Sequence, residues 1–169
     1  MRKIIIYPDP ILRKKAKEIE EINDDIKKLA DEMASLMYEN KGIGLAAPQV
    51  GESVRLITVD ITGSRRENLM VLVNPVILSK EGEIEYEEGC LSLPGFRANI
   101  KRAKKIEVLA KDLSGEEKKI SAEDILSVCI QHEIDHLDGI LLLDYVGRLK
   151  RQLYENKVKK WKRRLKQRS

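Results

Sequence analysis

Both histidines of the chain stand in one short run, Gln131-His132-Glu133-Ile134-Asp135-His136. On a helix, residues four apart share a face, so the two imidazoles lie close enough for one metal ion to bridge them. A single histidine on an apolar helix is more often a hydrogen-bonded core residue. The complete H-E-x-x-H pattern, after the apolar run Ile125-Leu126-Ser127-Val128-Cys129-Ile130, favours metal instead. A tetrahedral site then needs a third protein ligand. Cys129 shares the helical stripe, but seven residues of helix separate it from His136 by about 10 Å of rise. Donor atoms around one zinc-like ion lie within roughly 4 Å of each other, so Cys129 reads as a small buried apolar residue.

The other thiol is Cys90, in Glu88-Gly89-Cys90-Leu91-Ser92-Leu93-Pro94. A cysteine after Gly and shortly before Pro suits a bend, where its sulfur can point at the helix. The bland alternative is a packed core thiol. One Cys and two His leave a coordination position open, as in catalytic rather than structural sites, and a water there is activated near neutral pH. The chemistry expected is hydrolysis. Glu133 points beside the metal, which suits a general base on the water and then a proton donor to a leaving amine. Its bland role is to orient a ligand.

A glycine-rich stretch runs from Lys41 to Gly51. Within it, Gly42-Ile43-Gly44-Leu45-Ala46-Ala47 formally fits the dinucleotide fingerprint G-x-G-x-x-A, which must come after a strand and open a helix. Here a helix precedes it, and Pro48 and Gly51 break any helix that it could open. Close approach of a substrate backbone to glycine, with the Gln49 amide donating to a developing oxyanion, uses these residues better.

These residues need elements to hold them. A short strand at the start ends at Tyr7-Pro8-Asp9-Pro10, and Asn23-Asp24 offers an N-cap for a helix running to about Asn40. Ile26, Leu29, Ala30, Met33, Leu36 and Met37 form its apolar stripe. Lys41–Gly51 is expected as a loop. Short β-rich segments come next at Val54–Val59, Leu69–Val73, Glu83–Tyr86, Lys105–Ala110 and Lys118–Ser121, with Asp112-Leu113-Ser114-Gly115 as a hairpin turn. Ser121 and Asp124 resemble a capping box opening the buried ligand helix, which Gly139 stops. A final helix starts near Gly147. The class expected is α+β, antiparallel sheets around a central metal-binding helix, plus a basic C-terminal helix.

The 169 residues, 42% hydrophobic and 36% charged, suit a single core. Residues 1–147 are expected to form a catalytic domain, with residues 148–169 a basic helix appended to it. That last segment holds eleven of the 32 Lys and Arg and one acid, Glu155, so a body of net charge −6 carries a tail of +10. Such a tail suits a polyanion, although a solvated helix face is the commoner meaning. No apolar run approaches the roughly 18 residues of a membrane span, and the start is too short for a secretory signal. Two cysteines make no disulfide framework, which points to reduced thiols and a cytoplasmic location.

In chain order, Gly42-Ile43-Gly44-Leu45-Ala46-Ala47-Pro48-Gln49, Glu88-Gly89-Cys90-Leu91-Ser92 and His132-Glu133-Ile134-Asp135-His136 match G-x-G-x-A-A-x-Q, E-G-C-x-S and H-E-x-x-H. In these motifs and their order the chain resembles the peptide deformylases, metal amidases that remove the formyl group from the starting methionine of new proteins. The resemblance extends from Asp9 to Asp144. It implies that Cys90, His132 and His136 hold the ion and that Glu133 manages the proton. It assigns the oxyanion contacts to the Gln49 side chain and the Leu91 backbone N–H. It also has the Gly44 region align the substrate main chain, and a methionine pocket form against the ligand helix, with Ile43, Leu126 and Cys129 as walls. The ion implied is Fe²⁺, with Zn²⁺, Ni²⁺ or Co²⁺ as substitutes. The partners implied are N-formyl-Met nascent peptides and, through the C-terminal helix, the ribosome; a monomer is expected. Two rivals stand beside this reading: a general H-E-x-x-H metallopeptidase, and a non-enzymatic ribosome- or RNA-binding module stapled by a structural metal.

Overall fold

The computed structural model describes residues 2–168, so Met1 and Ser169, the ends of the expected segments, lie outside it. Asn23 caps the first helix, α1 (Asp24–Glu39), by accepting a hydrogen bond from Ile26 N at 3.0 Å. Seven strands come after it: β1 (Gly44–Ala46), β2 (Leu56–Val59), β3 (Met70–Glu81), β4 (Ile84–Cys90), β5 (Leu93–Arg102), β6 (Lys105–Lys111) and β7 (Glu117–Glu123). Helix α2 (Asp124–Leu137) comes next and α3 (Arg148–Arg168) is last. These strands pair antiparallel with one another, in a five-stranded sheet of order β1-β2-β3-β6-β7 and a separate β4-β5 hairpin. The α+β expectation holds, with α2 at the centre.

Helix α2 is buried by its own composition. Ile130, Ile134 and Leu137 pack on Ile57, Val59, Ile106 and Val108 of the large sheet, leaving the opposite face of the helix for polar chemistry. Met33 and Met37 of α1 close the sheet beside Leu45, Leu56 and Val73. A third cluster joins the hairpin to the C-terminal helix through Leu93, Phe96, Ile100, Tyr154 and Val158. No described helix is long and apolar enough to cross a membrane.

Several local expectations change. Residues 2–6 form no strand; they are tied instead by Ile5 N donating to Gln49 O at 2.7 Å. The Lys41–Gly51 segment is not all loop, since Gly44–Ala46 pairs with β2 and Ala47–Val50 forms a 3-10 turn. Ser121 does not cap α2: it sits in β7 with its hydroxyl on Glu107, and Glu123 takes the N-cap position without a side-chain bond. Strand β5 is absent from the expected segments because Pro94 and Gly95 argue against a strand, and Ala98 and Arg102 occupy inward positions where β-branched residues are usual. The hairpin turn at Asp112–Gly115 is present, with Asp112 Oδ1 accepting from Ser114 N and Glu116 N and Gly115 at φ +86°.

Candidate active site

Three donor atoms from two distant segments converge. Cys90 Sγ lies 3.3 Å from His136 Nε2, which lies 3.2 Å from His132 Nε2, and the three are mutually within 4.8 Å. Among the described residues this is the one His/Cys/acid group with metal-ligand spacing. The separations suit donors held about 2.0 to 2.3 Å from a common centre. The donor chemistry agrees. His132 Nδ1 faces Glu88 Oε1 at 3.0 Å, so Nδ1 carries the proton and Nε2 turns its lone pair inward. Two Nε2 atoms so close, buried beside a thiol, are costly to keep apart from a cation, and the residues present therefore fit a divalent metal.

Local sequence explains the placement. Cys90 ends β4, where the β4–β5 register shifts immediately after Gly89 and a tight turn aims the thiol at α2. A side chain at Gly89 would meet Arg97 Nη1 at 2.9 Å. Cys129 takes no part, as helical rise requires: its buried thiol donates to Ile43 O at 3.5 Å.

Behind the ligands stands a buried ionic network that the motifs do not expose. The Arg102 guanidinium, 3% exposed, grips Glu88 with bonds of 2.7 and 3.0 Å and reaches Asp135 Oδ2 at 2.8 Å. Burial pushes the Glu88 carboxyl up, but hydrogen bonds from His132 and Arg102 outweigh it and hold the group below its usual range. Burial likewise disfavours the Arg102 charge, and Glu88 and Asp135 more than restore it. The only sequence signal for this arginine is its inward position on an alternating strand.

Glu133 is buried, and its Oε1 has no hydrogen-bond partner. Burial pushes its carboxyl up to about 7, against the pull of the Arg102 positive charge. That value suits a group that must both take and give a proton near neutrality. Gly44 is required at this point: a Cβ there would run into Glu133 Oε2 and come within 2.8 Å of Cys129 Sγ.

The site opens into a cavity of about 550 Å³, walled by Ile43 and Gly44 on one side and by Leu91, Phe96 and Arg97 on the other. From α2 it receives Ile125, Val128 and Cys129, not Leu126. Positions 125, 128, 129, 132, 133 and 136 form one helical stripe, and Leu126 falls off it to pack against the sheet core. Gln49, 2% exposed, is fixed by its Oε1 accepting from Ala46 N at 3.0 Å. Its Nε2 donates to Ser92 Oγ at 3.1 Å and lies 3.5 Å from Cys90 Sγ. Gln49, Leu91, Gly44, Ile43 and Glu133 are thus brought together around the three donor atoms.

An H-E-x-x-H helix, a distant cysteine and a buried carboxyl inside an α+β fold define a metal-dependent hydrolase. The chain belongs to the polypeptide deformylase family, whose profile matches residues 1–152. It is 54% identical over 155 residues to a peptide deformylase of Thermodesulfovibrio yellowstonii, covering 90% of this chain and 93% of the relative. Its fold superposes on the crystal structure of a peptide deformylase from Legionella pneumophila with a TM-score of 0.91 at 44% identity, covering 100% of this chain and 99% of that one. A peptide deformylase from Synechococcus elongatus, solved in complex with actinonin, gives a TM-score of 0.87 at 37% identity, covering 92% of this chain and 86% of that one.

Proposed function

We propose that this chain hydrolyses the formyl group from the N-terminal formyl-methionine of nascent proteins, releasing formate. One observation carries the reading: Cys90, His132 and His136 converge beside a buried, partnerless Glu133 oxygen on the wall of the cavity. The divalent ion they would hold, Fe²⁺ or its substitutes Zn²⁺, Ni²⁺ and Co²⁺, supplies Lewis-acid polarisation of the carbonyl and lowers the pKa of water.

The remaining steps belong to the protein. Glu133 removes a proton from the attacking water, whose oxygen joins the formyl carbon. Charge then gathers on the formyl oxygen, and Gln49 Nε2, already held beside Cys90, donates a hydrogen bond to it. The Leu91 backbone N–H is assigned the second contact. Glu133 then passes its proton to the amine nitrogen as the C–N bond breaks, and formate and the free methionine terminus separate. Beside the bare face of Gly44, a peptide main chain can lie along β1, the edge of its sheet. Ile43, Val128 and Cys129 offer apolar surface to the methionine side chain.

The protein acts in the cytoplasm as a monomer, and the cationic outer face of α3 docks on ribosomal RNA. The decisive assay is formate release from a formyl-methionyl tripeptide by protein loaded anaerobically with Fe²⁺. Cleavage of an internal peptide bond instead identifies a general metallopeptidase, and a metal-loaded but inert protein identifies a structural-metal binding module.

A further inference from the structure

Strand β5 does not pair continuously with β4. Leu93 faces Cys90 and Arg97 faces Gly89 in the register, so Pro94, Gly95 and Phe96 are looped out of the ladder. Gly95 takes φ +74°, and Pro94 has no N–H to offer. Yet Phe96 is buried, and this bulge forms part of the cavity wall with Leu93 and Arg97. Something other than the sheet has to fix it.

That support comes from the C-terminal helix. Tyr154, buried on α3, donates its hydroxyl to Pro94 O at 3.0 Å. Its ring meets Phe96 edge-on with centroids 5.1 Å apart, and Lys150, one turn earlier, sets its Nζ 5.5 Å over the same ring. Trp161 braces Tyr154 from beyond, edge-on at 6.0 Å. Cys90 packs against this same apolar cluster. The helix therefore stands one side chain away from the substrate cavity, and its bond to Pro94 holds a backbone that lacks ladder partners.

We propose that Tyr154 is a positioning residue for substrate recognition: from α3 it pins the Pro94–Phe96 bulge and thereby sets the shape of the cavity wall. The inference rests on the deformylase reading. Released from Tyr154, the bulge gives up its conformational entropy only when substrate arrives, which weakens binding while His132, His136 and Glu133, all on α2, keep their geometry and Cys90, at the end of β4, keeps its contact with Gln49.

Full-length Fe²⁺-loaded Tyr154→Phe and Tyr154→Leu proteins test this, assayed for kcat and KM with a formyl-methionyl tripeptide alongside metal content and melting temperature. The Phe variant keeps the ring and loses only the hydroxyl. Its KM is expected to rise roughly three- to tenfold with kcat and metal content unchanged, and that of the Leu variant further. A tyrosine that merely fills space would lower the melting temperature or the active fraction, hence apparent kcat, without moving KM. A KM for the Phe variant equal to that of the wild type overturns the inference even if the Leu variant does not fold. Wild-type protein that releases no formate refutes the deformylase reading itself and takes this inference with it.

Discussion

Glu88 Oε1 accepts from His132 Nδ1 at 3.0 Å, while the same carboxylate is clamped by the buried Arg102 through bonds of 2.7 and 3.0 Å. The imidazole is thus aimed by a charge that is itself anchored. Glu88→Ala removes the aim and leaves the arginine with Asp135 alone among carboxylates. Metal affinity is expected to fall roughly 10- to 100-fold. Stability should drop by about 3 kcal/mol or more, because one partner of a buried pair is left behind. Chelator competition and urea unfolding measure the two effects separately.

Gly44 meets Glu133 and Cys129 with no room for a methyl group. Gly44→Ala must displace the carboxylate that handles the proton, and misplacement of about 1 Å at a reacting group can cost roughly 100-fold. The variant is expected to fold and retain metal while kcat falls by at least about tenfold. Steady-state kinetics on protein of verified metal content provide the check.

Asp60 links α1 to the loop after β2 from a fully buried position. Burial pushes its carboxyl up, but hydrogen bonds from Thr62 and Tyr38, and from the Thr62 and Asn68 amides, hold it below its usual value. A depressed folded pKa stabilises fully above the unfolded value of about 3.9, and that stability is lost as pH falls through the folded one. Between about pH 7 and pH 3, wild-type protein should therefore lose more stability to acid than Asp60→Asn, which is less stable at neutral pH and less sensitive to the change. Urea midpoints across that range decide it; parallel pH curves for the two proteins would contradict the assignment.

The outer face of α3 presents Lys159, Lys160 and Arg163 to solvent, while Tyr154 and Val158 face inward. Reversing those three cations to Glu leaves the packed face untouched and should weaken co-sedimentation with ribosomes about as strongly as a rise in salt does. Sedimentation unaffected by either change would remove the ribosomal role of the helix.

Much of the site is legible in the sequence because its chemistry is concentrated in three short runs. The histidine pair needs only helical spacing, and helical rise alone separates Cys129 from the ligand set. Asn23, the α1 stripe and the Asp112–Gly115 turn are readable for a similar reason, since each depends on neighbours within a few residues. The hidden features depend on contacts across the chain. Glycine at position 44 counts against a strand in sequence, yet Gly44 pairs with Val59 of β2, and α2 brings the Glu133 carboxylate so close that a side chain there has no room. Arg102 lies 14 residues from Glu88 and 33 from Asp135, so no local pattern reveals the network. The Pro94–Phe96 bulge is intelligible only once α3 is seen to hold it.

The most direct test of the whole account replaces Glu133 and compares metal content with turnover. Glu133→Ala should bind its ion as the wild type does, because the carboxylate is not among the three converging donors, while formate release falls by at least about 100-fold. Cys90→Ala, run in parallel, should lose the ion. Wild-type turnover in the Glu133 variant, or loss of its metal, would contradict the assignment of that carboxylate as the proton carrier.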